Sequence, residues 1–198
     1  MLIRKLFKFE GSHIVRDCTS ERCSKSIHGH SYVVEIFLTS TGLDNGQMVV
    51  DFGLLKGTVK DFIDAFDHTH VSWVKESEEV KNFFQKHNKR WIELPCSPSA
   101  EMLSLMFFFV IDRIIKNTVF NNGEKFVSLD AVRVHETATG YAESSREDLE
   151  SLWKWDLEDI IISQPIMDEW KDSYMWSILI ENDPFINPSI NLKYNKNE

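Results

Sequence analysis

His28, Gly29 and His30 open directly into the apolar run Ser31 to Leu38. Side chains alternate between the two faces of a β-strand, so a two-residue step puts both imidazoles on one side. Two rings presented in this way can share one metal ion. A third imidazole, His13, stands at the end of another strand-like run, Leu2 to Phe9, and pairing the two runs as a hairpin brings it alongside. Three neutral imidazoles leave a tetrahedral zinc ion one open position, the arrangement of a catalytic site rather than a structural one. An H-x-H step in isolation is more often incidental, so the expectation rests on the strand that carries it.

Cys23 lies close before His28, and a thiol near a dication loses its proton readily to give a strong base or nucleophile. Cys18 competes for that role, and either cysteine also reads as a small half-buried side chain. Asp67 and His68 supply an imidazole near its working pKa and a carboxylate that can fix its tautomer. Adjacent residues rarely bond directly, so Asp67 orients an imidazole of a neighbouring subunit, or His68 through a bent turn. A plain helix-terminal pair is the alternative. His70 makes a second H-x-H with His68, but both sit past a helix end, which favours His28 and His30 as ligands. Glu136 ends a largely apolar strand, where a carboxylate is costly unless it meets donors. Paired N–H groups on a heterocycle would satisfy both its oxygens; an edge glutamate in water is the plainer reading. His135, on the other side of that strand, reads as surface. Arg16, Arg22 and Lys25 crowd the loop beside the histidines, with Lys8 near by. They could hold an anionic tail of a ligand, although loop cations are commonly just solvated.

The elements that must position these groups follow from periodicity. Leu2 to Phe9 alternates as a strand, 11–27 has no period and reads as a long functional loop, and Ser31 to Ser40 returns to the turn chemistry of Leu43 to Gly46. Asp51 can cap a helix whose apolar positions Phe52, Leu55, Val59, Phe62, Ile63 and Phe66 share a face. Residues 75–90 lack an apolar stripe and read as a loop or a poorly packed helix. Ser97 and Pro98 look like a cap and first helical position, with Met102, Leu105, Met106, Phe109 and Val110 as the buried face and an end near Asn121 to Gly123. Phe126 to Glu136 alternates again, and a further strand can follow Tyr141. This order suggests an α+β fold, an antiparallel four-stranded sheet with two helices on one face. Beyond residue 144 acidic residues and four of the six tryptophans accumulate. The reading there is a partly helical extension, 145–198, with Leu149, Leu152, Trp153, Ile160 and Ile161 as a docking face, while 187–198 is polar enough to fray.

Composition narrows the function. The chain has 198 residues and a net charge of −9, which argues against a nucleic-acid or membrane surface, since phosphate binders normally carry a basic face. Three cysteines, Cys18, Cys23 and Cys96, in a sequence that starts at once on strand pattern, point to reduced thiols in a cytoplasmic protein.

Taken in order, Phe9, Gly11, Ser12 and His13, then Cys23, His28 to Tyr32, Met48 to Phe52, Asp67 and His68, Pro98 to Glu101, and His135 to Thr137 resemble the 6-pyruvoyl-tetrahydropterin synthase family. The resemblance spans 1–144 and is strongest to its bacterial branch, that of queuosine biosynthesis. It implies the tunnelling fold, whose subunits join their sheets into a trimer barrel and stack as a hexamer, so that the protein is a homo-oligomer. It also implies that His13, His28 and His30 hold zinc, Cys23 is the catalytic base, Asp67 and His68 form a proton relay, and Glu136 anchors a pterin. Ser99, where the family usually has threonine, and Lys25 are the further substrate-binding candidates. The implied substrate is 7,8-dihydroneopterin triphosphate. The bacterial branch releases acetaldehyde and a carboxylated pterin, whereas the eukaryotic branch keeps the side chain; a non-catalytic pterin- or zinc-binding module is the remaining possibility. Cys23 precedes His28 by a spacing between those of the two branches, and the acidic extension has no counterpart in compact members.

Overall fold

Backbone pairing carries the first hairpin further than its apolar alternation does. In the computed structural model, which describes residues 1–188, β1 (Leu2–His13) pairs antiparallel with β2 (His28–Thr39) in unbroken register from Leu2↔Thr39 to His13↔His28. The loop therefore starts later than predicted, after His13, and ends where expected, because the ladder continues through Gly11, Ser12 and His13. Glycine is required at 29: a Cβ there would sit 2.7 Å from the Gly11 carbonyl oxygen. One helical turn, α1 (Glu21–Ser24), closes the connection.

The helix expected from Asp51 is interrupted. Asp51 accepts the Gly53 amide at 2.7 Å, a 3₁₀ turn covers Leu54–Lys56, and α2 (Thr58–Asp64) starts only after Gly57. Leu55, Val59, Phe62, Ile63 and Phe66 are buried as expected, but Phe52 is exposed. Two strands follow that the sequence pattern did not reveal. β3 (Thr69–Trp73) lies parallel to β1 at Gly11–His13, and β4 (Trp91–Leu94) lies parallel to β3. Between them α3 (Glu78–His87) is a true helix, capped by Ser77; Phe84 is its one buried side chain, which is why no stripe is visible. The cap of α4 (Ala100–Asn117) is Ser99 rather than Ser97, with Pro98 just outside the helix, and α4 ends earlier than predicted. β5 (Ser128–Thr137) starts after an exposed Phe126 and pairs with β2, and β6 (Gly140–Ser145) pairs with β5.

The sheet is a correction to the four-stranded expectation. β6, β5, β2 and β1 form the antiparallel set, but β3, β4 and β7 (Ile161–Ile162) extend it to seven strands of mixed direction, in the order β6-β5-β2-β1-β3-β4-β7. α2 and α4 pack on one face, where Phe9 meets Phe66 and Phe107.

The C-terminal segment covers α4 and α2. α5 (Arg146–Leu152) is held to α4 by Arg146 and Asp112, Trp153 lies against Phe109, and α6 (Gln164–Met167) leads to α7 (Met175–Glu181), whose Trp176 stacks on Phe62 at 5.9 Å. Leu149 is half-buried and Trp153 and Ile160 are buried, whereas Leu152 and Ile161 are exposed. Buried side chains from Phe7 to Phe185 form one continuous core. Asn187, at the start of the stretch expected to fray, is buried and donates to the Leu54 carbonyl at 3.0 Å; positions 189–198 lie outside the described residues.

Candidate active site

Strand parity builds the first half of the site. Phe7, Phe9, Gly11 and His13 of β1 and His28, His30, Tyr32 and Val34 of β2 point to the helix-bearing face, and the register sets His13 opposite His28 and the bare Gly11 opposite His30. One nitrogen from each of the three imidazoles lies within 4.8 Å of the other two.

Tautomers follow from the partners, because a carbonyl only accepts. His13 Nδ1 donates to the Pro98 carbonyl at 2.7 Å, and His28 Nδ1 donates to the Ser26 carbonyl at 3.0 Å. Each ring is left with an Nε2 lone pair, and these two atoms face each other at 3.1 Å. His30 Nε2 is buried with no hydrogen-bond partner among the described residues. Glu136 Oε1 stands 3.6 Å from His13 Nε2 and 3.8 Å from His30 Nε2. Converging lone pairs and a carboxylate repel one another unless a cation lies between them, so the donor set fits a divalent metal ion.

Burial lowers the pKa of His13 from 6.5 to about 4, helped by His28 and His30 and opposed by the Pro98 bond. His30 is lowered too, by burial and His28 against Glu136. Both rings are thereby kept neutral, as metal ligands must be. Burial and Glu136 push the Tyr32 phenol up, so its hydroxyl, 3.2 Å from His13 Nδ1, stays protonated.

The second half is the turn after α2. His68 adopts a left-handed backbone, φ 53°, and in that bend its Nδ1 meets Asp67 Oδ2 at 2.9 Å. The adjacent pair therefore bonds directly, by the bent-turn route. Glu10 of β1 fixes it from the other side: its amide donates to Asp67 Oδ1 at 2.8 Å and its carbonyl accepts the His68 amide at 2.6 Å. Burial works to raise the Asp67 pKa, but the Glu10 amide and the His68 ring outweigh it and hold the carboxyl below its usual range. His68 and His30 line one cleft of about 430 Å³ together with Ser12 and Ser31.

The remaining candidates are placed less centrally. Cys23 is half-buried on α1, and its carbonyl accepts the Val15 amide at 3.0 Å, which folds the loop back beside the end of β1. Its sulfur is not among the clustered donor atoms. Cys18 donates its thiol to the Ser20 carbonyl at 3.3 Å. Ser99 serves as the α4 cap, one residue after the carbonyl that holds His13. Lys25 pairs with Glu21 at 2.5 Å and lines a separate groove with Arg16, Ile27, Phe83, Lys86 and His87. His70 is buried, stacked on Phe84 at 3.5 Å and bonded to Ser12 Oγ, so it is occupied away from the metal cluster.

Sequence reasoning assigned no role to Tyr32, Glu10 or Arg90. Tyr32 was within reach, since it continues the two-residue parity of His28 and His30; Glu10 acts through its backbone and Arg90 through long-range carbonyls, which leave no local signal.

The chain belongs to the 6-pyruvoyl tetrahydropterin synthase family, whose model matches residues 2–147. Within that family it is similar to proteins of the bacterial 6-carboxy branch. It is 41% identical over 186 residues to the 6-carboxy-5,6,7,8-tetrahydropterin synthase of Helicobacter pylori strain J99, covering 92% of this chain and 93% of that protein. This similarity runs well past residue 147 into the C-terminal segment. The Aquifex aeolicus protein of the same name is 29% identical over 161 residues, 73% of this chain and 98% of its own. Among solved structures, the 6-pyruvoyl tetrahydropterin synthase of Plasmodium vivax shares the fold at TM-score 0.54 and 19% identity, over 74% of this chain and 98% of that one.

Proposed function

We propose that this protein is a 6-carboxy-5,6,7,8-tetrahydropterin synthase, a lyase that converts 7,8-dihydroneopterin triphosphate to 6-carboxytetrahydropterin, acetaldehyde and triphosphate on the way to queuosine. The observation that carries the reading is the convergence of His13, His28 and His30 beside Glu136, with His30 lining one cleft together with His68, which is paired to Asp67.

The three imidazoles would hold zinc, which supplies Lewis acidity toward the side-chain hydroxyls of the substrate when bound. Glu136 accepts the paired N–H groups of the pterin ring, which satisfies a carboxylate on an apolar strand. Cys23 takes a proton from the substrate side chain, and His68, its tautomer fixed by Asp67, moves a proton at the ring. Ser99 offers a hydroxyl beside Pro98. The triphosphate needs cations in a chain of net charge −9, and the groove of Lys25, Arg16 and Lys86 supplies them next to Ile14, the residue after His13.

The outer edge of β6 and the edge of β1 before Gly11 carry no strand partner among the described residues, which suits closure of the sheet by further copies, a trimer or hexamer. Free Cys18, Cys23 and Cys96 suit a reducing cytoplasm.

Incubating the purified protein with 7,8-dihydroneopterin triphosphate and assaying acetaldehyde tests the reaction. Acetaldehyde formed in step with the carboxylated pterin is expected. A pterin product that retains its three-carbon side chain would reassign the chain to pyruvoyl chemistry, and no turnover would leave a binding module.

A further inference from the structure

Arg90, the residue before β4, bridges the C-terminal segment and the turn that holds His68. Its Nε donates to the Asp67 carbonyl at 2.9 Å and its Nη2 to the Asp64 carbonyl at 2.8 Å. The Asp64 carbonyl closes α2 and already accepts the Asp67 amide at 3.0 Å, so the guanidinium adds a second donor there and complements the negative end of the helix, while its Nε holds the turn that follows. The remaining arm, Nη1, is paired with Glu169, which follows α6 in the C-terminal segment.

The same segment fixes the backbone that presents Arg90. Ser163 donates its hydroxyl to the Lys89 carbonyl at 2.9 Å, accepts the Trp91 amide at 3.3 Å, and donates its own amide to the Trp91 carbonyl at 3.1 Å. Lys171, two residues past Glu169, ties to α2 as well: its amide donates to Asp61 Oδ2 and its ammonium to the Lys56 carbonyl.

A left-handed backbone at a residue that is not glycine is strained and persists only where its surroundings over-determine it. At His68 those surroundings are the Glu10 backbone on one side and, one residue back on the other, the Asp67 carbonyl held by Arg90 and by Thr69 Oγ1 at 3.2 Å. We propose that Arg90 is a positioning residue for the Asp67–His68 pair, and that the C-terminal segment acts on the reaction through it by way of Glu169 and Ser163. The inference rests on the reading of that pair as the proton relay. Arg90 itself touches no reacting group.

The test is a double-mutant cycle in the metal-loaded protein, with turnover, KM, metal content and amide hydrogen exchange measured for each variant. Arg90→Ala is expected to lower kcat by about tenfold to a hundredfold, in line with small misplacement of a catalytic group, while KM and metal content stay near wild type. The His68 amide should exchange faster. In a His68→Ala background the same change should have almost no further effect, because its route to the reaction is gone.

Glu169→Ala, at a largely exposed side chain, covers the case in which Arg90→Ala fails to fold. It should lower kcat by a smaller factor, about threefold, and Glu169→Gln, which keeps an acceptor for Nη1, should restore it. Loss of turnover that adds fully to that of His68→Ala, or an Arg90→Ala enzyme with unchanged kcat and unchanged exchange at His68, would overturn the inference. If His68→Ala itself turns over like wild type, the relay reading fails first, and the His68 variant alone reveals it.

Discussion

The two halves of the candidate site are held by different means. At the end of the first hairpin, ladder register and two-residue alternation bring His13, His28 and His30 together, and local carbonyls fix the His13 and His28 tautomers. At the turn after α2, the Asp67–His68 pair depends on partners from β1, from the start of β4 and, through Glu169, from the C-terminal segment. A histidine cluster built on backbone period is as secure as the strands themselves. A carboxylate–imidazole pair built on a strained turn is only as secure as its distant supports.

The sharpest way to separate the halves is His68→Ala. Removing a positioned acid or base should cost about 10²- to 10⁴-fold in turnover, with metal content unchanged, because the ligand ladder does not pass through residue 68. Loss of metal in that variant would show that the halves are not independent.

Gly29→Ala attacks the hairpin half instead. Its Cβ would press on the Gly11 carbonyl, so the cost should be about 1–3 kcal/mol of stability, as for other overpacked sites. Urea titration measures it, and metal affinity should fall in parallel. Unchanged values for both would mean that ladder register is not what positions the ligands.

Acid should weaken the region of β3 before it reaches the carboxylates. Burial, with His13 adding and Glu76 opposing, holds the His70 pKa at about 4 against an ordinary 6.5. Unfolding then takes up a proton, so the stability contributed by neutral His70 is complete above pH 6.5 and is lost as pH falls from there to about 4. His70→Gln should flatten the pH dependence of the urea midpoint across that window. Identical slopes for the two proteins would contradict a neutral, buried His70.

The smallest effect belongs to the exposed groove. Lys25→Ala should raise KM for the triphosphate substrate by about fivefold, the upper end for one solvent-exposed ion pair, with kcat unchanged. A KM unmoved by the change would take Lys25 out of the binding set.

What could be read in advance follows the same division. The clustering of the three histidines was legible because strand period decides which side chains share a face, and Cys23, Asp67 and Glu136 stood out by chemical type. The Asp67–His68 bond was legible only as one of several options, since it requires a positive φ that no glycine announces. β3 and β4 were missed because short parallel strands mixing His, Ser, Trp and Glu with Val and Ile show neither clean alternation nor a continuous apolar run. Phe52 misled for the opposite reason: it fits the helical stripe, but Asp51 and Gly53 form a turn before the helix begins. The C-terminal tryptophans announced burial without saying against what, and contact with Phe62 and Phe109 is a property of the tertiary fold.

The claim on which the rest depends is that three neutral imidazoles share one divalent metal ion. Anomalous diffraction at the zinc edge from crystals of the purified protein measures this directly. The expected result is a single strong peak bonded to His13, His28 and His30, absent from crystals of His28→Ala. A peak elsewhere, or one that survives in that variant at near-full occupancy, would contradict the account.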